Sequence, residues 1–366
     1  MRLRDNKLIE QQTAALQCAY LDLASFTEKF DRSQRKMLGA VCFTPLASHS
    51  TVAASGAPLA HVAMPALDVA GSANSTCEVW GAEGAFTYGH RDALRYGHNE
   101  EILFGVIQLS EADFETSAVR DAGKTPLQQA GESAYRALFE LIDELEFPHI
   151  LRVWNYIADI NGNSDGTERY RQFNTGRQDG FLGNGRKVTG SVPAASAVGF
   201  REGPLTIYFL AGRGVAPIAI ENPRQVSAYA YPEAYGPRSP TFSRASVARL
   251  GASDVLFLSG TASIVGHETL HIGDVVAQTR ETMANIAAMV AEANRVAPQA
   301  GFTLADLCYK VYVRHEKDVA AIHDELRRTL GPSVRLMFLQ ADICRANLAM
   351  EIEATAGHPM DFSVNP

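Results

Sequence analysis

The feature that most constrains the fold is an alternation of strand-like and helix-like segments that begins at residue 102. Strand-like segments are short runs of β-branched and aromatic residues, whereas helix-like segments repeat apolar residues every three or four positions. This pattern predicts strands at 102–109, 149–157 and 205–212, a helix opened by Thr125-Pro126, and a second helix starting near Ser164 and Asp165. The expected order is therefore β-α-β-α-β.

The last third of the chain repeats this order. The pattern predicts a strand with a glycine-rich turn in DVLFLSGTASIVG, a helix from Asp274 to Asn294, a strand in CYKVYVR, a helix from Val319 to Leu330, and closing strands in VRLMFLQ and LAMEIEA. Alternating helices and strands are typical of α/β proteins in which helices cover one face of a sheet. The small residues from Leu46 to Ser75 predict only short strands and loops.

Charge and cysteine content limit the classes of partner and compartment. The chain has 33 Lys+Arg against 41 Asp+Glu, a net charge of −8, which argues against nucleic-acid or anionic-membrane binding. The sequence contains no apolar stretch of 18 residues, the length that a membrane-spanning helix needs. The N-terminal segment MRLRDNKLIEQQ lacks the apolar core of a secretory signal. Five widely spaced cysteines without a CxxC pair argue against a disulfide framework. We therefore expect a globular, cytoplasmic protein.

The segment HETLH at 267–271 matches the HExxH signature of zinc proteases. That signature binds zinc only on a helix, where the two imidazoles share a face. Gly266 and Gly273 flank the segment, and Asp274 is a better helix N-cap than any residue before His267. We interpret both histidines as polar turn residues and predict no metal site.

The segment ERYRQFNTGR at 168–177 combines three arginines with a tyrosine. On a helix, Tyr170, Asn174 and Arg177 share one face, which could clamp a carboxylate through a guanidinium fork with hydroxyl and amide donors. A solvated helix face with ion pairs to Glu168 or Asp179 is the competing interpretation.

Two carboxyl groups lie in the last predicted strand. Glu351 and Glu353 would share one face, opposite Met350 and Ile352. A carboxyl beside apolar neighbours has a raised pKa, because burial disfavours its charged form, and such a group suits general acid catalysis. An exposed polar face of an edge strand is the alternative. Cys344 by itself is more typical of a small core residue.

Several long motifs resemble known families. From about Asp254 to Ala354, the chain resembles the RidA/YjgF superfamily through SGTASIVG, GDVVAQTRETMANI, CYKVYVR, VRLMFLQADICR and MEIEA. Over roughly residues 100–355, RVWNYIADING, ERYRQFNTGR, IENPRQVSAYAYPEAYGPRSPTFSRA, FLSGTASIVGH and QADICRANLAMEIEA together resemble the chorismatase family. The resemblance implies an α/β (α+β) fold of two RidA/YjgF-like (chorismate-mutase-like) halves, each a mixed β-sheet backed by helices. Residues 1–240 would form the first half, with an irregular N-terminal segment, and residues 241–366 the second.

The chorismatase resemblance also implies an activity. These enzymes cleave the enolpyruvyl ether of chorismate and release pyruvate without a metal or an organic cofactor. The ether is cleaved by protonation of its methylene carbon, and Glu351 is the counterpart of the family's catalytic acid. Chorismate is a dianion, so its carboxylates need cationic or hydrogen-bonding partners. The candidates are Tyr170 and Arg177 first, then Arg171, Tyr208, Arg213 and Arg314, whereas Arg238 and Arg244 could instead be structural.

The product is expected to depend on two further positions. Cys344, seven residues before Glu351, stands where aromatising chorismatases carry a cysteine. Ala262 is the second product-determining candidate, although alanine there resembles the members that form a diene diol. This combination implies 3-hydroxybenzoate and/or 4-hydroxybenzoate as the product. The alternative is hydrolysis to the trans-dihydroxycyclohexadiene carboxylate.

The sequence is also compatible with three other functions. A RidA-like imine hydrolase could use the same glutamate and an arginine, and a non-catalytic small-molecule binding protein could use the same cleft. A zinc hydrolase would depend on HETLH. Because two RidA-like halves could mimic part of the usual RidA trimer, we expect a monomer, with a homo-oligomer as the alternative.

Overall fold

The computed structural model describes residues 16–32, 37–44, 55–69, 76–116 and 123–359. The segment MRLRDNKLIEQQ and parts of the small-residue region at 46–75 lie outside these residues, so the expectations made for them stay predictions. Among the described helices, none has the length and apolar character that a membrane crossing requires.

The N-terminal half of the chain forms strands with two long helices among them. Its elements are β1 (Leu16–Leu21), α1 (Leu23–Phe26), β2 (Gly39–Phe43), β3 (Leu59–Val62), β4 (Cys77–Ala82), β5 (Thr87–Arg91), β6 (Leu94–His98), β7 (Ile102–Leu109), α2 (Pro126–Glu144), β8 (His149–Ala158), β9 (Asn163–Ser164), β10 (Thr167–Glu168), α3 (Arg169–Gly183), β11 (Ala194–Phe200) and β12 (Leu205–Gly212).

The C-terminal half follows a similar order. Its elements are β13 (Ile218–Ile220), β14 (Ala245–Leu250), β15 (Ser253–Thr261), β16 (Ile264–Val265), β17 (Glu268–Thr269), α4 (Val275–Val296), β18 (Cys308–Val313), α5 (Val319–Leu330), β19 (Leu336–Gln340), β20 (Asp342–Ile343) and β21 (Met350–Ala356). Short turns are 3-10 helical at Glu111–Phe114, Ala228–Ala230, Glu233–Tyr235, Leu304–Asp306 and Glu316–Asp318, and π-helical at Thr27–Arg32.

Two mixed sheets confirm the predicted fold class. The seven-stranded sheet has the order β20-β11-β8-β12-β7-β6-β5, in which β8 and β11 are parallel. The six-stranded sheet has the order β13-β14-β15-β21-β18-β19, in which β18 and β19 are parallel. Helices α2 and α3 pack on the first sheet, and α4 and α5 pack on the second. The domain boundary between residues 240 and 241 stays a prediction.

An additional four-stranded sheet, with the order β1-β4-β2-β3, lies near the N-terminus and was not foreseen. Cys42 and Cys77 are register partners on β2 and β4, with Cα atoms 4.2 Å apart, and they form a disulfide. The expectation of no disulfide framework is wrong for this pair. Adjacent strands bring together two cysteines that are 35 residues apart in the sequence.

Most element predictions are confirmed, and one helix start is wrong. Thr125 and Asp274 cap α2 and α4 through their side chains, as expected. Helix α3 begins at Arg169 rather than near Ser164, because residues 163–168 form a two-stranded hairpin. Asp165 and Gly166 have φ values of 49° and 82°. Two successive positive φ values are typical of the tight hairpin turn that Asp-Gly favours.

Alternation along the strands places the core in layers. On β8, Val153 and Ile157 face the core under α2 and α3, whereas Trp154 and Tyr156 face an inner core shared by all three sheets. Strand β21 alternates in the same way, since Met350, Ile352 and Ala354 pack toward α4 and α5. The residues between them therefore point into the inner layer.

Helix α3 is seated on α2 by close backbone contact. A Cβ added at Gly176 would collide with the backbone carbonyl of Gln128 in α2, whereas one at Gly183 would meet only the end of the Arg136 side chain at 4.0 Å. The absence of a side chain at Gly176 thus allows α3 to lie close against the backbone of α2.

We predict that Gly176→Ala lowers the free energy of unfolding by about 1–3 kcal/mol, because a packed backbone has to move. The matched variant Gly183→Ala should leave stability unchanged or raise it by up to about 1 kcal/mol, since alanine favours helix. Urea denaturation of both variants checks this. Equal effects of the two substitutions would contradict the close-packing account.

Candidate active site

A cavity of about 440 Å³ opens between α3, β11, the loop before β14, and the ends of β15 and β21. This volume lies in the usual range of small-molecule sites. Polar and aromatic side chains dominate its wall. The lining residues include Glu168, Tyr170, Arg171, Arg177, Ser196, Tyr231, Tyr235, Phe242, Arg244, Cys344, Arg345 and Glu351, together with the small Ala262.

The Glu351 carboxyl reaches this cavity from β21, a central strand flanked by β15 and β18. Its residue is only 4% exposed. Burial raises the pKa of Glu351 to about 8, with help from the negative charge of Glu353 and against the opposing effect of Arg152 and Arg244. The carboxyl is therefore protonated at neutral pH and loses its proton above about pH 8.

Glycine at position 260 makes room for that carboxyl. A Cβ on Gly260, in β15, would collide with Oε1 of Glu351. The backbone N–H of Gly260 donates to Oγ of Ser196 at 3.1 Å, which fixes this part of the wall. The acid group is thus packed against backbone on one side and open to the cavity on the other.

Glu353, two residues further along β21, has the opposite environment. Its Oε1 accepts hydrogen bonds from Trp154 Nε1 at 2.8 Å, Lys310 Nζ at 2.8 Å and Tyr312 OH at 3.2 Å. Its Oε2 accepts from Arg152 Nη2 at 2.9 Å and from the Ser196 hydroxyl. Burial alone would raise the pKa of Glu353, but Lys310 and Arg152 outweigh it and lower that pKa.

Three buried or half-buried guanidinium groups face the cavity. Arg177, which is 1% exposed, donates to Asn174 Oδ1 at 2.8 Å, and its Nε has no partner among the described residues. Arg244 donates to the carbonyl oxygen of Val226 and to Tyr231 OH, both at 2.8 Å, and its Nε is likewise unpartnered within the described chain. Such donors call for an anionic ligand, because a buried charge without a partner is costly.

Arg345 provides the third group. Its guanidinium lies 4.2 Å from the ring centroid of Tyr235 and 5.2 Å from that of Tyr231. Its Nη1 donates to the carbonyl oxygen of His267 at 2.8 Å, while Nη2 is buried and has no partner in the ranges that the structure covers. The ion pairs found among the described residues do not include Arg177, Arg244 or Arg345, so their charges are available to a ligand.

Tyr170, Cys344 and Ala262 complete the wall near Glu351. Burial raises the pKa of the Tyr170 hydroxyl and raises that of the Cys344 thiol to about 12, with a further effect of Glu351 on Cys344. Both groups are therefore neutral at physiological pH and can act only as hydrogen-bonding or shape-determining neighbours.

The remaining predicted residues lie at the rim of the cavity or away from it. Arg171 lies at the rim, where it pairs with Glu168 at 3.2 Å and donates to the carbonyl oxygen of Ala234. Tyr208 lies in the inner core, where it donates to Glu78 at 2.9 Å and accepts from Lys310 at 3.0 Å.

The guanidinium groups of Arg213 and Arg314 donate hydrogen bonds to backbone carbonyl oxygens. Arg213 stacks on Phe147 at 4.1 Å and donates to carbonyl oxygens of the loops around it. Arg314 pairs with Asp342 and donates to three carbonyl oxygens in the 343–348 segment, so it shapes the loop that carries Cys344 without lining the cavity. Arg238 is exposed and lies outside the cavity wall.

The HETLH segment lies in the turn region before α4, as predicted. Glu268 and Thr269 form β17, and His271 has a φ of 58°, so the five residues are not helical. The carbonyl oxygen of His267 accepts from Tyr235 at 2.7 Å as well as from Arg345. The segment therefore supports the cavity wall. No grouping of metal-binding side chains suited to an ion occurs in the described ranges.

Sequence reasoning missed Arg345 and left Arg244 as a structural alternative. Both lie in irregular segments, where no periodicity shows which way a side chain points. The signal available for Arg345 was its position next to Cys344, six residues before Glu351.

Known proteins share this arrangement of elements over most of their length. A chorismatase crystal structure superposes with a TM-score of 0.79 at 30% identity, covering 94% of this chain and 99% of that chain. A 3-hydroxybenzoate synthase of Streptomyces hygroscopicus is 37% identical over 327 residues, which is 87% of this chain and 91% of that protein. The chain belongs to the chorismatase family.

Two further matches agree with this chorismatase assignment. The family model for FkbO/Hyg5-like chorismatases, N-terminal, matches residues 78–211, from β4 to β12. A chorismatase of Streptomyces rapamycinicus is 38% identical over 285 residues, or 76% of this chain and 81% of that protein. The family model thus includes the α3 helix with Tyr170 and Arg177, while Glu351 and Cys344 lie beyond its end.

Proposed function

We propose that this chorismatase cleaves the enolpyruvyl ether of chorismate into pyruvate and a hydroxybenzoate, with Glu351 as the general acid. The observation that carries the proposal is a buried carboxyl with a raised pKa on the wall of a cavity that is also lined by Arg177, Arg244 and Arg345, whose charges are not neutralised by an ion pair among the described residues. A carboxylic acid beside guanidinium groups suits a substrate that carries carboxylates and reacts by taking up a proton.

The acid step follows from the chemistry of an enol ether. The proton of Glu351 goes to the terminal methylene carbon, the double-bond electrons form the new C–H bond, and the positive charge is shared between the ether carbon and oxygen. Carbon protonation is slow in water, so a positioned acid and a bound substrate together lower the barrier. With a pKa of about 8, the Glu351 carboxyl is protonated at neutral pH.

Substrate binding is assigned to Arg177, Arg244 and Arg345, with Tyr170 beside them. Chorismate carries two carboxylates, and guanidinium groups bind carboxylates in a bidentate way. The tyrosine rings at 231 and 235, which stack on Arg345, keep that guanidinium in place. Arg171 at the rim is a secondary candidate. Tyr208, Arg213 and Arg314 have positions that suit support of the fold better than contact with substrate.

We further propose that Cys344 and Ala262 influence the product, since both border the cavity beside Glu351. Formation of a hydroxybenzoate splits chorismate into two products with no net gain of water, whereas the dihydroxycyclohexadiene product takes up one water. A neutral thiol and a methyl group near the ring would limit where water can approach. The likeness to a 3-hydroxybenzoate synthase favours the aromatic product.

A RidA-like imine hydrolase and a non-catalytic binding protein are weaker candidates. A small imine with at most one carboxylate would leave at least two of the three guanidinium groups without a counter-charge, whereas the two carboxylates of chorismate leave one, and a binding protein has no need of a protonated carboxyl in its cavity. We also propose that the protein acts as a monomer in the cytoplasm. The Cys42–Cys77 bond is uncommon in that reducing compartment, so thiol labelling of protein from intact cells tests the location.

The variant Glu351→Gln should lose turnover but keep binding. The amide has the shape of the carboxyl without its acidic proton, so we expect kcat to fall by about 100-fold or more, in the range of general acid catalysis. Pyruvate release from chorismate gives the rate, chromatography gives the product, and equilibrium dialysis gives chorismate affinity. Wild-type protein that releases no pyruvate, or a fully active variant, would refute the proposed function.

The variant Arg177→Ala should raise KM about 10- to 100-fold, because a substrate carboxylate loses a charge-assisted hydrogen bond. Arg213→Ala, which removes an arginine outside the cavity, serves as the matched control and should leave KM unchanged. Steady-state kinetics on chorismate measure both. An unchanged KM in Arg177→Ala would move the carboxylate site to the other arginines.

A further inference from the structure

We infer that Glu353 is a positioning residue for the acid, because its fixed negative charge keeps the proton on Glu351. This inference rests on the proposed function of Glu351, and it concerns a residue that does not border the cavity. Both carboxyls lie on the same face of β21, two positions apart, and both are buried between the sheets. Two carboxyls this close repel each other when both are charged.

The hydrogen bonds determine which of the two carries the charge. Glu353 accepts from five donors on β8, β11 and β18, contributed by Arg152, Trp154, Ser196, Lys310 and Tyr312. Protonating it would break at least one of these contacts, so it stays ionised. Of the two carboxyls, Glu351 is therefore the one that carries a proton, as expected when two carboxyls have environments that separate their pKa values.

The charge of Glu353 is held in a cluster that balances itself. Lys310 Nζ lies 2.8 Å from Glu353 and 2.5 Å from Oε2 of Glu78, and Arg152 lies 2.9 Å from Glu353. The cluster thus has two anions and two cations, all of them at most 4% exposed at the side chain. Solvent does not screen the charges of such a cluster. The effect of Glu353 on the pKa of Glu351 therefore depends on how close the two carboxyls are.

A direct link runs from Glu353 to the wall beside Glu351. The Ser196 hydroxyl donates to Glu353 Oε2 and accepts the N–H of Gly260, the glycine on which the Glu351 carboxyl packs. Other groups that face Glu351 are Arg152 and Arg244, which lower its pKa, and the neutral Cys344 and Tyr170. Among these neighbours, only Glu353 adds negative charge.

The test is the pH dependence of kcat in Glu353→Gln. A general acid works in its protonated form, so wild-type activity should persist below about pH 8 and fall above it. Removing the charge of Glu353 favours ionisation of Glu351, and the alkaline limb should move down by about one pH unit or more. At a pH below both limbs, the variant should recover most of its activity, which a merely structural role would not produce.

Two further variants keep the result interpretable. Glu353→Gln with Lys310→Met leaves one anion, Glu78, and one cation, Arg152, in the cluster, so it covers the case in which the single variant does not fold. Its limb should also move down. Glu78→Gln removes an equally buried anion of the same cluster that lies on β4, and it should leave the limb in place. An unmoved limb in the folded Glu353 variants overturns the inference.

An infrared titration separates this inference from the proposed function. The carbonyl band of a protonated carboxyl, assigned to Glu351 by its loss in Glu351→Gln, reports the proton without any substrate. If chorismate is turned over but the band titrates at the same pH with and without Glu353, only the inference fails. If chorismate is not turned over, the proposed function fails, and the band still shows whether Glu353 controls the proton.

Discussion

The ionic contact between Glu353 and its two cations, Lys310 and Arg152, is the interaction on which the rest of the site depends. Burial raises the pKa of Glu351, and the negative charge that this contact fixes in the inner layer raises it further. In the proposed mechanism, the neighbouring Glu351 carboxyl therefore stays neutral and keeps a transferable proton. The same contact connects the two mixed sheets, since Arg152 lies on β8 and Lys310 and Glu353 lie on β18 and β21. One cluster therefore connects the two sheets and, in the proposed mechanism, also supports the acid.

The fold makes this arrangement through the two-residue period of its strands. One face of β21 packs Met350, Ile352 and Ala354 against helices, so the other face has to carry Glu351 and Glu353 into the layer between the sheets. The ends of that layer differ. Toward Lys310 it is closed by Trp154, Tyr208 and Tyr312, whereas toward Gly260 it opens into the cavity. One strand thus holds two carboxyls in opposite states of charge.

The regular helices and strands could be predicted from the sequence. The site residues that lie on these helices and strands could be predicted as well. The shared face of Glu351 and Glu353 follows from strand alternation, and that of Tyr170 and Arg177 from helical spacing; both are confirmed. The edge-strand alternative for Glu351 is wrong, since β21 is central.

The rest could not be predicted because it depends on tertiary contacts. Arg345 lies in a segment without periodicity, and its direction is set by stacking on Tyr235 and Tyr231. Arg213 and Arg314 follow strands, as ligand-binding residues often do, but carbonyl groups of neighbouring loops occupy their donors. The five donors to Glu353 come from three strands, which no local pattern connects.

Neutron diffraction from crystals exchanged into heavy water at neutral pD shows which of the two carboxyls carries the proton. We expect nuclear density for a deuteron on a carboxyl oxygen of Glu351 and none on Glu353. Density for a deuteron on Glu353, or an ionised Glu351 at that pD, would contradict this expectation.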